Sequence, residues 1–252
     1  MHPDIQPEIE AEAVRIVEAG AAQGVTMRLL GGLAIRLRCP SAAQPPFQRA
    51  YPDIDLASAA ASSQPIERLL EGLGYVPDRE FNILNGSTRL LFYDPRHQRQ
   101  VDVFVGQFDM CHRLPLAGRL EIEPLTLPLA DLLLTKLQIV QLNDKDLRDI
   151  SVLLLDHPVG DTDGDTINQQ RIVELCAKDW GWWKTVMLSL DKTASYCATL
   201  GLDETALRCV LERIASLRFA MDSAPKSLGW KARAKVGERM RWYNLPEEVQ
   251  RG

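Results

Sequence analysis

Apolar residues recur at helical spacing from Pro7 to Gln23, where Ile9, Ala13, Ile16, Val17 and Ala21 share a face and acids crowd the early turns. A short apolar run, Thr26 to Leu30, predicts a strand that stops at Gly31-Gly32, and Leu33 to Arg38 resumes a helical pattern. Cys39 to Pro52, with Pro40, Pro45 and Pro46, reads as a loop. Asp53-Ile54-Asp55-Leu56-Ala57 alternates polar and apolar as a half-buried strand does. A helix is expected from Pro65 to Gly72, and strands at Thr88–Tyr93 and Gln100–Val105 flank the turn-like Asp94-Pro95-Arg96-His97. Beyond Pro128 the period changes: helices are predicted at 128–143, 145–155, 166–178, 182–198, 203–221 and 227–241. The first half is thus mixed α and β and the second nearly all α, with a boundary near residue 125 dividing 1–125 from 126–252.

Composition narrows the class. The 252 residues are 46% hydrophobic and 25% charged, which suits a globular chain and excludes intrinsic disorder, collagen-like repeats and a disulfide-stapled miniature fold. The net charge of −5 excludes a uniformly basic binder of nucleic acid. Met1 to Glu8 lacks a secretory signal pattern, and the apolar run Leu127–Leu134 is interrupted by Asp131 and too short to span a bilayer. The five cysteines are scattered without a CxxC pair, as in a reducing cytoplasm. A cytoplasmic protein with no membrane partner is the expectation.

The chemistry concentrates in three acids. Asp53 and Asp55 point to one face of their strand while Ile54 and Leu56 point to the core. Neighbouring carboxylates repel unless a cation lies between them. Asp102 sits among valines in Gln100–Val105, where an acid is costly to bury without a partner. If the two strands are neighbours, the three carboxylates form a hard oxygen cage suited to Mg²⁺ or Mn²⁺. Such cages, commonly with two ions roughly 4 Å apart, clamp attacking and leaving oxygens in phosphoryl or nucleotidyl transfer. Gly31-Gly32, between strand and helix, lets bare backbone N–H groups approach a triphosphate.

In this order the elements resemble the nucleotidyltransferase fold of the DNA polymerase β type, most closely its AbiEii/AbiGii toxin-like group. The likeness rests on Gly31-Gly32-Leu33-Ala34, Arg49 shortly before Asp53-Ile54-Asp55-Leu56, Lys136-Leu137, and Lys145-Asp146-Leu147-Arg148-Asp149, and spans residues 25 to 155. It implies an α+β chain: a small mixed-sheet nucleotidyltransferase domain followed by a helical C-terminal domain. Asp53, Asp55 and Asp102 would hold metal and serve catalysis, while Gly31, Gly32, Arg49 and Lys136 would contact phosphate or nucleotide. Leu33 stands where many members carry a Ser or Thr hydroxyl, and Lys145 replaces the group's Arg. The implied activity moves an NMP from an NTP to an RNA, protein or small-molecule acceptor. The alternatives are a nucleotide- or RNA-binding module without turnover and an aminoglycoside-type adenylyltransferase. An antitoxin partner is an expectation of the resemblance alone.

Other features read in two ways. Asp131 and Lys136 fit either a functional role or the solvated charge edge of an ordinary amphipathic helix, and Asp146 with Asp149 fits either a catalytic role or salt bridging to Arg148 or Arg28. Asp161–Asp165 imitates a calcium loop, but Thr166 and Ile172 occupy the positions that need Gly and Glu, so Asp165 or Thr166 is expected to cap the next helix. The histidines His2, His97, His112 and His157 are isolated. Trp180, Trp182, Trp183 and Leu188 suggest a packed aromatic anchor or, alternatively, base stacking. Residues 226–241 carry a net charge of +5 amid Trp230, Trp242 and Tyr243, a solvated basic face or a grip for tRNA or other RNA.

Overall fold

A computed structural model describes residues 5–59 and 63–245; His2 and the first residues of the expected signal-free N-terminus lie outside the described part. The chain is α+β, with a mixed sheet followed by a helical C-terminal region, and it divides into two compact units. The first comprises residues 1–44, 48–108 and 114–128; the second comprises 45–47, 109–113 and 129–252.

In the first unit, β1 (Met27–Leu30), β2 (Asp53–Ser58), β3 (Val76–Pro77), β4 (Arg89–Asp94) and β5 (Arg99–Val105) form one sheet in the order β1-β2-β5-β4-β3. Only β2 and β5 run parallel; the other neighbours are antiparallel. The outer edge of β1 is closed by residues 125–127, which exchange backbone hydrogen bonds with Leu29. The apolar alternation sets the faces: Ile54, Leu56, Val101 and Val103 are wholly buried. The helices are α1 (Ile9–Ala22), α2 (Gly31–Arg38), α3 (Ser63–Gly72) and α4 (Arg79–Asn85). Helix α4 has no counterpart in the expected elements; it is a short helix whose N-cap, Asp78, accepts from the Phe81 N–H. The expected turn is built by Asp94, whose carboxylate accepts from the backbone of Arg96 and His97.

The second unit packs α5 (Leu129–Leu137), α6 (Asp144–Asp156), α7 (Gln169–Lys178), α8 (Trp180–Cys197), α9 (Glu204–Ser223) and α10 (Leu228–Val236). Every residue of α5 is buried except Lys136, so this helix is surrounded rather than amphipathic. The continuous helix expected over 128–143 is instead cut short at Leu137. Asn143 and Asp146 form a reciprocal capping box that begins α6 afresh. The cap of α7 is Asn168, accepting from Gln170 N–H, rather than Asp165 or Thr166. Helix α10 ends at Val236 because Gly237 turns to φ +59°, five residues before the helical pattern would have ended it. No helix among the described residues is long and apolar enough to cross a membrane.

Candidate functional site

The sheet brings four of the sequence-selected residues into one place. Gly31 ends β1 and opens α2 at φ +70°, a conformation open to glycine at no steric cost. Its antiparallel neighbour across the sheet is reached through Leu30, which faces Asp55 in register. A Cβ on Gly31 would fall inside the Asp55 carboxylate. A Cβ on Gly32 would meet the guanidinium of Arg49 instead. The bare backbone at the start of α2 therefore lies against one anion and one cation. Arg49 also stacks on Tyr51, 4.1 Å from the ring centre, and donates to the Ala50 carbonyl at 3.2 Å. The first turn of α2 carries no acid and no side-chain cap, so its N–H groups keep the positive end of the helix dipole.

The three acids lie on adjacent strands. Asp53 and Asp55 are half-buried on β2, and Asp55 is the direct register partner of Asp102 on β5. Asp102 is only 3% exposed and is clasped by Arg89 of β4. The Arg89 Nε donates to Oδ1 at 2.8 Å and to Oδ2 at 3.1 Å, and a guanidinium N–H pairs with Oδ2 as well. Burial works to lower the Arg89 pKa, but the hydrogen bond and charge of Asp102, joined by the charge of Asp55, raise it above its ordinary value. Phe104 lies under the same guanidinium at 5.0 Å. Among the described residues no three His, Cys, Asp or Glu side chains are gathered as a metal-holding group. Asp53 and Asp55 are hard oxygen donors on one strand face, a donor set that fits a divalent cation. Asp102 meets its cation in Arg89 in this arrangement.

No family model matches the chain, and no curated protein matches it. Among solved structures, the chain is similar to an antigenic nucleotidyltransferase-like protein from Paracoccidioides brasiliensis, at 13% identity and a TM-score of 0.40, over 90% of this chain and 98% of that one.

Arg89 was not among the residues that the sequence singles out. The signal was present but needed register: Arg89 faces Phe104, which puts it diagonal to Asp102 on the same sheet face. Lys136 belongs to the second unit, where its ammonium lies 3.0 Å from both Asp146 and Asp149. Burial works to lower its pKa, yet the two carboxylates reverse this and keep it protonated. Asp146 and Asp149 thus pair with Lys136, not with Arg148 or Arg28. Arg148 meets Asp144 at 2.7 Å, and Arg28 donates to the Met27 and Glu123 carbonyls. Asp131, buried in α5, pairs with Arg171 at 3.0 Å.

Proposed function

We propose that the chain is a metal-dependent nucleotidyltransferase with its centre at Gly31, Asp53, Asp55 and Asp102. The observation that supports this most is the abutment of the Gly31 backbone on the Asp55 carboxylate, with Asp102 in register beside it. Asp53 and Asp55 would hold Mg²⁺ or Mn²⁺, which when bound neutralises triphosphate charge and polarises the reacting phosphoryl group. The N–H groups opening α2 and the guanidinium of Arg49 would meet phosphate oxygens. The acceptor oxygen bonds to the α-phosphorus as the bond to the bridging oxygen breaks, and pyrophosphate leaves. Asp102 would take the acceptor's proton once it exchanges Arg89 for the incoming hydroxyl.

A second reading, nucleotide binding without turnover, draws on two observations. Asp102 is neutralised by Arg89, and the residue after Gly32 is the buried, apolar Leu33. Labelled NTPs with Mg²⁺ and bulk tRNA, protein and small-hydroxyl acceptors separate the two. Transfer of label that Asp53→Ala abolishes supports the transferase. Undiminished transfer in that variant overturns the site, and Mg²⁺-dependent NTP binding without product favours the quiet module.

A further inference from the structure

The helical unit holds a cavity of about 540 Å³ at the N-terminal end of α8, a volume in the range of small-ligand sites. Its walls are aromatic. Trp180 and Trp182 of α8 are buried, whereas Trp230, Trp242 and Tyr243 are half-buried around the opening. The rings meet edge to face: Trp180 and Trp242 at 5.8 Å and 76°, Trp242 and Tyr243 at 5.2 Å and 77°. Arg241 lies over the Tyr243 ring at 5.0 Å, so a planar guanidinium already stacks where a base would. The Trp230 indole N–H is buried and has no hydrogen-bond partner among the described residues, a donor without an acceptor in a residue that lines the cavity.

The segment that closes the site is deliberately held. Arg233 of α10 stacks on Trp180 at 4.8 Å and donates to the carbonyls of Gly237 and Met240, which follow the helix, both at 2.6 Å. The backbone N–H of Asn244 donates to the Cys111 carbonyl at 2.9 Å. Trp242 donates its indole N–H to Thr185 at 3.0 Å. The rim is positive. Lys178 and Arg241 line it, and among the described residues neither has a carboxylate partner; Arg113 is paired with Asp109. The single lining acid, Asp179, spends Oδ1 on the N–H groups of Gly181 and Trp182 as the cap of α8. An aromatic box of this kind would suit a quaternary ammonium, but these cations exclude it and select a flat ring that carries an anion.

We propose that this cavity takes one nucleotide, its base against Trp242 and Tyr243 and its phosphate at Lys178 and Arg241. The site lies wholly in the second unit and does not depend on the transferase reading. The chain itself supplies the reporter, because all five tryptophans fall between residues 180 and 242. The full chain, in EDTA at low salt, is titrated with eight-nucleotide single-stranded RNA homopolymers, with the four nucleoside monophosphates and with duplex RNA, and tryptophan emission is followed. Quenching by single strands alone assigns a nucleotide of a strand, and equal saturation by monophosphates assigns a free nucleotide. Tyr243→Ala is expected to weaken binding about tenfold, from loss of stacking. Arg241→Ala, at an exposed position, weakens it several-fold and guards against a folding defect in the first variant. No quenching by any probe, duplex binding as strong as single-strand binding, or parental affinity in a folded Arg241→Ala overturns the proposal.

Discussion

Gly31 meets two separate demands, and they can be measured apart. Its φ of +70° costs any other residue about 1–2 kcal/mol, and a Cβ there also collides with the Asp55 carboxylate. Gly118, in the same unit, has the same φ of +70° with nothing within 4 Å of a Cβ. Gly118→Ala is therefore expected to lose only the conformational cost in urea unfolding. Gly31→Ala should lose that and more, and should also lose Mg²⁺-dependent NTP binding, which Gly118→Ala retains. Equal losses of stability and intact NTP binding in both variants would show that the Asp55 contact carries no weight. Asp102 illustrates the opposite case, a residue whose demand is already met. Buried with a bidentate guanidinium, it is stable as an ion pair, and removing either partner alone would strand a charge at a cost of about 3–5 kcal/mol.

Whole elements carried most of what could be read ahead of the structure. The strands β2 and β5 were legible because Ile54, Leu56, Val101 and Val103 alternate with polar residues and are wholly buried. Helix α4 was not, since Ile83 and Leu84 are 83% and 76% exposed and mark no apolar face. The pairing of Arg89 with Asp102 depends on register between β4 and β5, and that of Lys136 with Asp146 and Asp149 depends on the chain breaking between α5 and α6. Neither follows from spacing along one element. His112, read as isolated, is likewise defined by its packing. It lies against Trp182 at 5.1 Å, with Nε2 2.8 Å from the Thr185 hydroxyl on α8. That hydroxyl accepts the Trp242 indole proton and can return its own to Nε2, an arrangement for a neutral ring.

Burial, opposed by the charge of Asp179, lowers the His112 pKa to about 4 from an ordinary value near 6.5. Between these values the unfolded chain binds the proton and the folded chain does not, so stability falls as the pH drops from about 6.5 to 4. The loss is on the order of 3 kcal/mol, fully restored above the upper limit. Tryptophan emission, which sees only the second unit, should show a shallower acid loss for His112→Gln than for the parent. Parallel pH profiles would contradict the buried, neutral histidine.

For the molecule as a whole, net charge is a poor guide to partners. A chain at −5 repels a polyanion at long range, so any nucleotide strand it binds must be held by local cations against that field. The stretch 226–241 is +5 and includes the rim residue Arg241, to which Lys178, outside the stretch, adds a further cation. Counterion release then makes affinity a count of phosphates met. For a single strand the slope of log affinity against log salt is about −0.7 for each phosphate neutralised. Contacts from Lys178 and Arg241 predict a slope near −1.4, and Arg241→Ala should bring it to about −0.7 while leaving the tryptophan signal at saturation intact. Tyr243→Ala should lower affinity at every salt concentration and leave the slope alone, because stacking releases no ions. A slope that moves with Tyr243 and not with Arg241 would reverse these assignments, placing the phosphate elsewhere on the basic helix.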